Sequence, residues 1–184
     1  MAEALRAAWP DLPSFTSGER ARVSLAGPVA RLLFRGDREA GLAIGPALGV
    51  ALPREPCRAE SHGDHAALWL GPDEWLLIGP ESEAENLFAA CRAALGEAPH
   101  ALVDISDRDA AFSLEGPAAA LLLNAGLPLD LDAFAVGMCA RSVFAKVSVL
   151  LWKQTPDRFR LETARSHAAH VWGLLEAASR ALPP

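Results

Sequence analysis

A short hairpin signature occurs twice in the chain, and that repeat limits the folds open to it. Pro72-Asp73-Glu74-Trp75-Leu76-Leu77 matches Pro156-Asp157-Arg158-Phe159-Arg160-Leu161 at an offset of 84 residues. The match continues downstream, where Ser82 meets Ser166, Leu87 meets Val171 and Phe88 meets Trp172. Each copy reads as a sheet edge, a turn, a strand and then a helix, so the chain is read as two related halves. A second match lies upstream, pairing Gly36-Asp37-Arg38-Glu39-Ala40 with Gly116-Pro117-Ala118-Ala119-Ala120 at an offset of 80. A rival alignment sets Ser24-Leu25-Ala26-Gly27-Pro28 against Ser113-Leu114-Glu115-Gly116-Pro117 and has more identities. It would make a helix of residues 29–34, a stretch that is short and β-prone. The offset of 80 is preferred for that reason.

On this alignment the first half has a strand near 29–35, a helix near 38–48, and strands at 66–71 and 74–79. A helix over 82–95 follows, with Ser82 as N-cap and Gly96 as stop, then a closing strand near 100–105. The second half has a strand near 110–115, a helix from Pro117 to about Asn124, and strands near 139–152 and 158–163. Its last helix spans about 166–181, capped by Ser166 and ended before Pro183-Pro184. The predicted fold class is α+β, with duplicated βαββαβ-like halves and antiparallel sheets carrying helices on one face. Residues 1–28 are expected to be an N-terminal arm, and residues 29–184 one domain of two halves, 29–106 and 107–184. The loop at 127–137 holds apolar residues and is expected to pack on the sheet.

Composition narrows the function classes. The 184 residues are 51% hydrophobic and 22% charged, a globular balance. The net charge of −6 gives no electrostatic reason to bind nucleic acid or an anionic membrane. No apolar run reaches the ~18 residues of a membrane span, and the first residues lack the pattern of a secretory signal. Cys57, Cys91 and Cys139 are few, odd in number and widely spaced, which points to reduced thiols in a cytoplasm.

Chemical motifs are sparse. Neither a G-x-G-x-x-G after a strand nor a G-x-x-x-x-G-K-[ST] occurs. His62 and His65 are expected in a polar loop near Cys57, and His167 and His170 repeat their spacing at a helix start. Such a pair shares one helical face, but no further ligand has motif spacing, so solvated histidines are the default. Cys91 and Cys139 fall on apolar segments and are expected in the core. Ser106 between Asp104 and Asp107 invites a hydrolase reading, yet no G-x-S-x-G elbow exists. Asp104 and Ser106 are instead expected to bond backbone amides at a tight junction. Of the tryptophans, Trp9 and Trp75 are candidate interface anchors.

Three stretches carry a family resemblance. They are Leu70-Gly71-Pro72-Asp73-Glu74-Trp75-Leu76-Leu77, Val103-Asp104-Ile105-Ser106-Asp107-Arg108 with Leu114-Glu115-Gly116-Pro117, and Leu127-Pro128-Leu129-Asp130-Leu131 with Phe134-Ala135-Val136-Gly137-Met138-Cys139. Together they resemble the gamma-subunit family of heterotetrameric sarcosine oxidases, over roughly residues 29–178. The second and third also resemble the aminomethyltransferases, the T proteins of glycine cleavage, whose fold has duplicated halves around a tetrahydrofolate cavity.

The resemblance implies a non-catalytic structural subunit with alpha, beta and delta subunits as partners. The complex would oxidatively demethylate sarcosine to glycine, with hydrogen peroxide and methylene-tetrahydrofolate formed. FAD, FMN, NAD, tetrahydrofolate and zinc would be carried by the other subunits and none by this chain. Gly71, Pro72, Asp73, Glu74, Trp75, Asp104, Ser106, Arg108 and Gly116 are the motif and candidate interface positions. No catalytic, cofactor-binding or metal-binding residue is assigned.

One departure bears on the alternatives. Aminomethyltransferases carry a Gly-Gly-x-x-Asp-Asp stretch whose aspartate meets the folate. The corresponding residues 142–152 here, SVFAKVSVLLW, have no Gly-Gly and no Asp. A folate-binding one-carbon protein and a free-standing partner-binding module remain the alternatives.

Overall fold

The structure, a computed structural model, describes residues 10–181. The elements in order are β1 (Phe15–Ser17), β2 (Ala21–Leu25), β3 (Val29–Gly36), α1 (Arg38–Leu48), β4 (Ala59–His62), β5 (His65–Gly71), β6 (Glu74–Pro80), α2 (Ala84–Leu95) and β7 (His100–Asp104). They continue with β8 (Asp109–Glu115), α3 (Ala119–Asn124), β9 (Cys139–Phe144), β10 (Val147–Thr155), β11 (Arg158–Ala164) and α4 (Ala168–Ser179).

Two compact units divide these elements. Residues 28–106 form one, around a five-stranded sheet in the order β4-β5-β6-β3-β7. Every pairing in it is antiparallel. Ala30, Leu32 and Phe34 of β3, with Trp75 and Leu77 of β6, line one face of this sheet. Ala40, Ile44 and Leu48 of α1 and Leu87, Cys91 and Leu95 of α2 close over them. The spacing of these helical positions makes the apolar stripe that a sheet face can bury. α1 starts where Asp37 accepts the Ala40 N–H at 2.9 Å and stops at Gly49, in the left-handed region at φ 75°.

The second unit joins residues 107–181 to the described N-terminal residues 10–27. Its sheet runs β1-β2-β8-β11-β10-β9, again antiparallel throughout. Phe112, Leu114, Leu151, Phe159 and Leu161 face Leu122, Leu123, Val171 and Leu175 in its core. Leu127, Leu131 and Phe134 of the 127–137 loop are buried in the same core, as expected. The described part of the expected N-terminal arm is therefore not an arm, since β2 pairs with β8 along its length. The reason is edge coverage: β8 would otherwise end the sheet with an unpaired row of backbone groups.

The repeat extends to fine detail. β6, the 3₁₀ turn at Glu81–Glu83 and α2 recur 84 residues on as β11, the turn at Arg165–His167 and α4. The register slip between Trp69 and Gly71 recurs between Lys153 and Thr155 at the same offset. Phe34 pairs with Trp75, and the equivalent Leu114 pairs with Phe159. The rival offset is excluded, because Ser24 and Ser113 are cross-strand partners and not equivalents. β2 instead occupies the place of β7, since Leu33 pairs with Val103 as Ser113 pairs with Ser24.

Several elements differ from expectation. Ser82 and Ser166 do not cap their helices, because each lies inside the 3₁₀ turn that precedes the helix. The strand expected over 139–152 is a hairpin, β9 and β10, turned at Ala145 and Lys146 with φ of 46° and 77°. The His62–His65 stretch is likewise a hairpin, with His62 opposite His65 and Gly63 at φ 59°. Trp9 and the Pro183-Pro184 end lie outside the described residues.

Candidate functional site

Most of the motif residues lie at strand ends, in each unit separately, where they hold turns in place. Gly71 ends β5, and Pro72 and Asp73 form the tip before β6. The Asp73 carbonyl accepts the Gly36 N–H at 3.1 Å, tying the turn to the end of β3. Its twin is the Asp157 carbonyl, which accepts the Gly116 N–H at 2.9 Å. The carboxylate of Asp73 pairs with Arg35 at 2.8 Å, both side chains 55% exposed. At the ladder pair equivalent to Arg35 and Glu74 the charges are reversed, with Arg158 3.3 Å from Glu115. Glu74 stands opposite Arg35 in the ladder.

Trp75 is not available to a partner. It is 6% exposed, stacks on Phe34 at 5.6 Å between ring centroids, and donates its indole N–H to the Pro53 carbonyl at 2.8 Å. Its interface role is therefore corrected to a core role. The strand's inward parity dictates this, because Trp75 shares a face with Leu77.

The Asp104–Ser106 junction prolongs the β3–β7 pairing with side chains. Ile105 N–H donates to the Arg31 carbonyl at 2.8 Å. The Arg31 N–H donates to Ser106 Oγ at 3.0 Å, and Ser106 Oγ–H donates to Asp104 Oδ1 at 2.6 Å. The Ser106 N–H reaches the same oxygen at 2.9 Å. The serine hydroxyl is thus both donor and acceptor within the backbone frame, as expected for a structural turn. Arg108 grips Asp109 with two bonds, of 3.1 and 2.9 Å, at the start of β8, while its carbonyl accepts the Arg165 N–H.

Gly116 is required by its conformation. It sits at φ 114°, and a Cβ there would run into the Arg20 carbonyl group and approach Ala21 Cα to 3.2 Å. That carbonyl already accepts the Ala118 N–H at 2.9 Å.

The remaining reactive groups do not converge. His65 Nε2 lies 3.2 Å from Glu83, beside a shallow depression of about 340 Å³ that His62, Asn86 and the C-terminal end of α1 also line. His167 and His170 are exposed. Among the described residues no group of three or more His, Cys, Asp or Glu is arranged to hold a metal. Cys91 and Cys139 are buried, and burial pushes the Cys91 thiol up to about 11. The residues that depart from the folate-binding pattern form the β9–β10 hairpin, which carries no carboxylate from Cys139 to Thr155. No helix among the described residues is long and apolar enough to cross a membrane.

Comparison with known proteins agrees with this arrangement. Over nearly its whole length, the fold matches a chain of the "Heterotetrameric Sarcosine Oxidase from Corynebacterium sp. U-96 in complex with pyrrole 2-carboxylate", with a TM-score of 0.84 and 31% identity. The match covers 98% of this chain and 91% of that one. A glycine cleavage system aminomethyltransferase T from Bartonella henselae matches with a TM-score of 0.67, over 97% of this chain and 56% of that one. At 16% identity it shows the aminomethyltransferase-like fold alone. In sequence, the sarcosine oxidase subunit gamma of Corynebacterium sp. (strain P-1) is 37% identical over 141 residues, covering 74% of this chain and 68% of that protein. The family model described as "Sarcosine oxidase, gamma subunit family" matches residues 35–181. The repeat, the sheet order and these matches agree, and the chain belongs to the sarcosine oxidase gamma subunit family.

Proposed function

We propose that the chain is a non-catalytic structural subunit of a heterotetrameric sarcosine oxidase. The observation that carries this reading is the match to a chain of such an oxidase over 98% of this chain at 31% identity. The site geometry supports it. The hydroxyl of Ser106, the carboxylate of Asp104 and the guanidinium of Arg108 are each engaged in holding strand ends. The partners are the alpha, beta and delta subunits, and the assembly demethylates sarcosine to glycine. FAD, FMN, NAD, tetrahydrofolate and zinc belong to those other subunits, and the complex works in the cytoplasm. The three free cysteines accord with a reducing compartment.

The test is co-expression with the large flavin-binding subunits encoded by the same genome. A stable complex should copurify, and the isolated chain should form no peroxide from sarcosine. Turnover by the lone chain, or tight tetrahydrofolate binding by it in calorimetry, would overturn the reading.

A further inference from the structure

We propose that the outer edge of β7 receives an extended segment of a partner subunit, in the position that β1 holds in the twin sheet. The proposal rests on the subunit role above and names where the partner docks. β7 ends its sheet among the described residues, whereas its equivalent β2 carries β1 on its outer side. The chain's own second sheet therefore shows what this edge accepts.

The register follows from the duplication. Phe15, Thr16 and Ser17 of β1 stand opposite Val23, Arg22 and Ala21. The equivalent positions on β7 are Leu102, Ala101 and His100, since Phe34 pairs with Leu102 as Leu114 pairs with Val23. Ile105 donates its N–H inward to Arg31 at 2.8 Å. Alternate residues of an antiparallel strand bond to the same side, so Val103 and Ala101 face β3. Leu102 and Asp104 then direct their N–H and C=O groups outward, as Val23 does toward β1.

Side chains define the occupant. Phe15 meets Trp172 edge-on at 5.4 Å, and the equivalent of Trp172 is the half-buried Phe88. A large apolar residue entering opposite Leu102 thus finds an aromatic neighbour already placed. Val103 is 51% exposed where the twin has Ser24, so apolar surface stands open beside this edge. Asp104 is exposed where the twin has Leu25, and one of its oxygens is taken by Ser106. The incoming residue two positions before the apolar one would face that carboxylate. The segment is therefore an antiparallel strand with a basic residue, one intervening residue, and a large apolar residue. Main-chain bonds supply its affinity and these two side chains its specificity.

Amide-resolved hydrogen exchange on the isolated full chain and on the co-expressed complex tests the proposal. Assembly should slow exchange at Leu102 and Asp104 at least tenfold and leave the inward amides of Ala101 and Val103 unchanged. Leu102→Pro removes one outward donor and no inward bond, so it should lose copurification while the isolated variant still melts cooperatively. A complex that forms with Leu102 and Asp104 still exchanging as in the free chain refutes the docking edge and leaves the subunit role intact. Failure of the wild-type chain to form any complex overturns both. Protection that rises with concentration of the chain alone would assign the edge to a second copy and overturn the proposal.

Discussion

Replacing Gly116 with alanine tests whether the chain path after β8 is as tightly determined as the structure indicates. The residue sits at φ 114°, a conformation that L side chains rarely adopt. Holding alanine there costs about 1–3 kcal/mol. The added methyl also collides with the Arg20 carbonyl group, which is backbone and cannot rotate away. If Arg20 moves, its bond from the Ala118 N–H is lost, at about 1 kcal/mol. The expected destabilisation is therefore about 2–4 kcal/mol. Gly49→Ala is the control. Gly49 is also left-handed, at φ 75°, but a Cβ there meets nothing within 4 Å. Its cost should be about 1–2 kcal/mol. Urea unfolding followed by tryptophan fluorescence gives the difference from the midpoints at constant slope. If Gly116→Ala proves no more damaging than Gly49→Ala, the close approach of Arg20 is not a real constraint on the chain path.

Other substitutions should behave as follows. Trp75→Ala empties a core site and strips the donor from the Pro53 carbonyl, so thermal unfolding should show a loss of about 3–5 kcal/mol. Arg35→Ala breaks an exposed pair, and the same assay should register a change of no more than about 1 kcal/mol. A disulfide reagent at pH 8 should label the half-buried Cys57 in the native chain and reach Cys91 only after unfolding. Because the Cys91 thiol is raised from 9.0 to about 11, the folded chain keeps a proton between those values that the unfolded chain loses. Stability should thus fall as pH rises from about 9 to about 11, and Cys91→Ala should flatten that slope in denaturation midpoints.

The parts of the fold that could be read from sequence are those with a local cause. The Pro-Asp turn sets the start of β6 and β11; the run after Asp73 is apolar and the run after Asp157 alternates, and each has the length of a strand. α1 was legible to its ends because Asp37 and Gly49 cap it. The rest has no local signal. β2 belongs to the second unit through pairs such as Ser24 with Ser113, which nothing near residue 24 announces. β4 alternates weakly, being exposed along most of its length at the sheet edge. The β9–β10 turn uses Ala145 and Lys146 in place of the usual Asn-Gly pair, so the two strands appeared as one. Ser82 and Ser166 looked like caps because a serine before a helix commonly is one, but a 3₁₀ turn intervenes in both copies. At the site, the Asp-x-Ser spacing of Asp104 and Ser106 announces a junction, whereas Trp75 suggests an interface anchor although its parity directs it inward.

The shared sheet of β2 and β8 sets an order of events on the ribosome. Residues 28–106 hold every strand of their own sheet and can close it as soon as they emerge. β2 is synthesised earlier, yet its partner β8 begins only at Asp109. At roughly 5–20 residues per second, the N-terminal strands wait on the order of ten seconds without their ladder. Throughout that interval they offer an open strand edge to any nascent chain nearby. Slowing translation between the two segments should lower soluble yield more than slowing it after β8 has emerged.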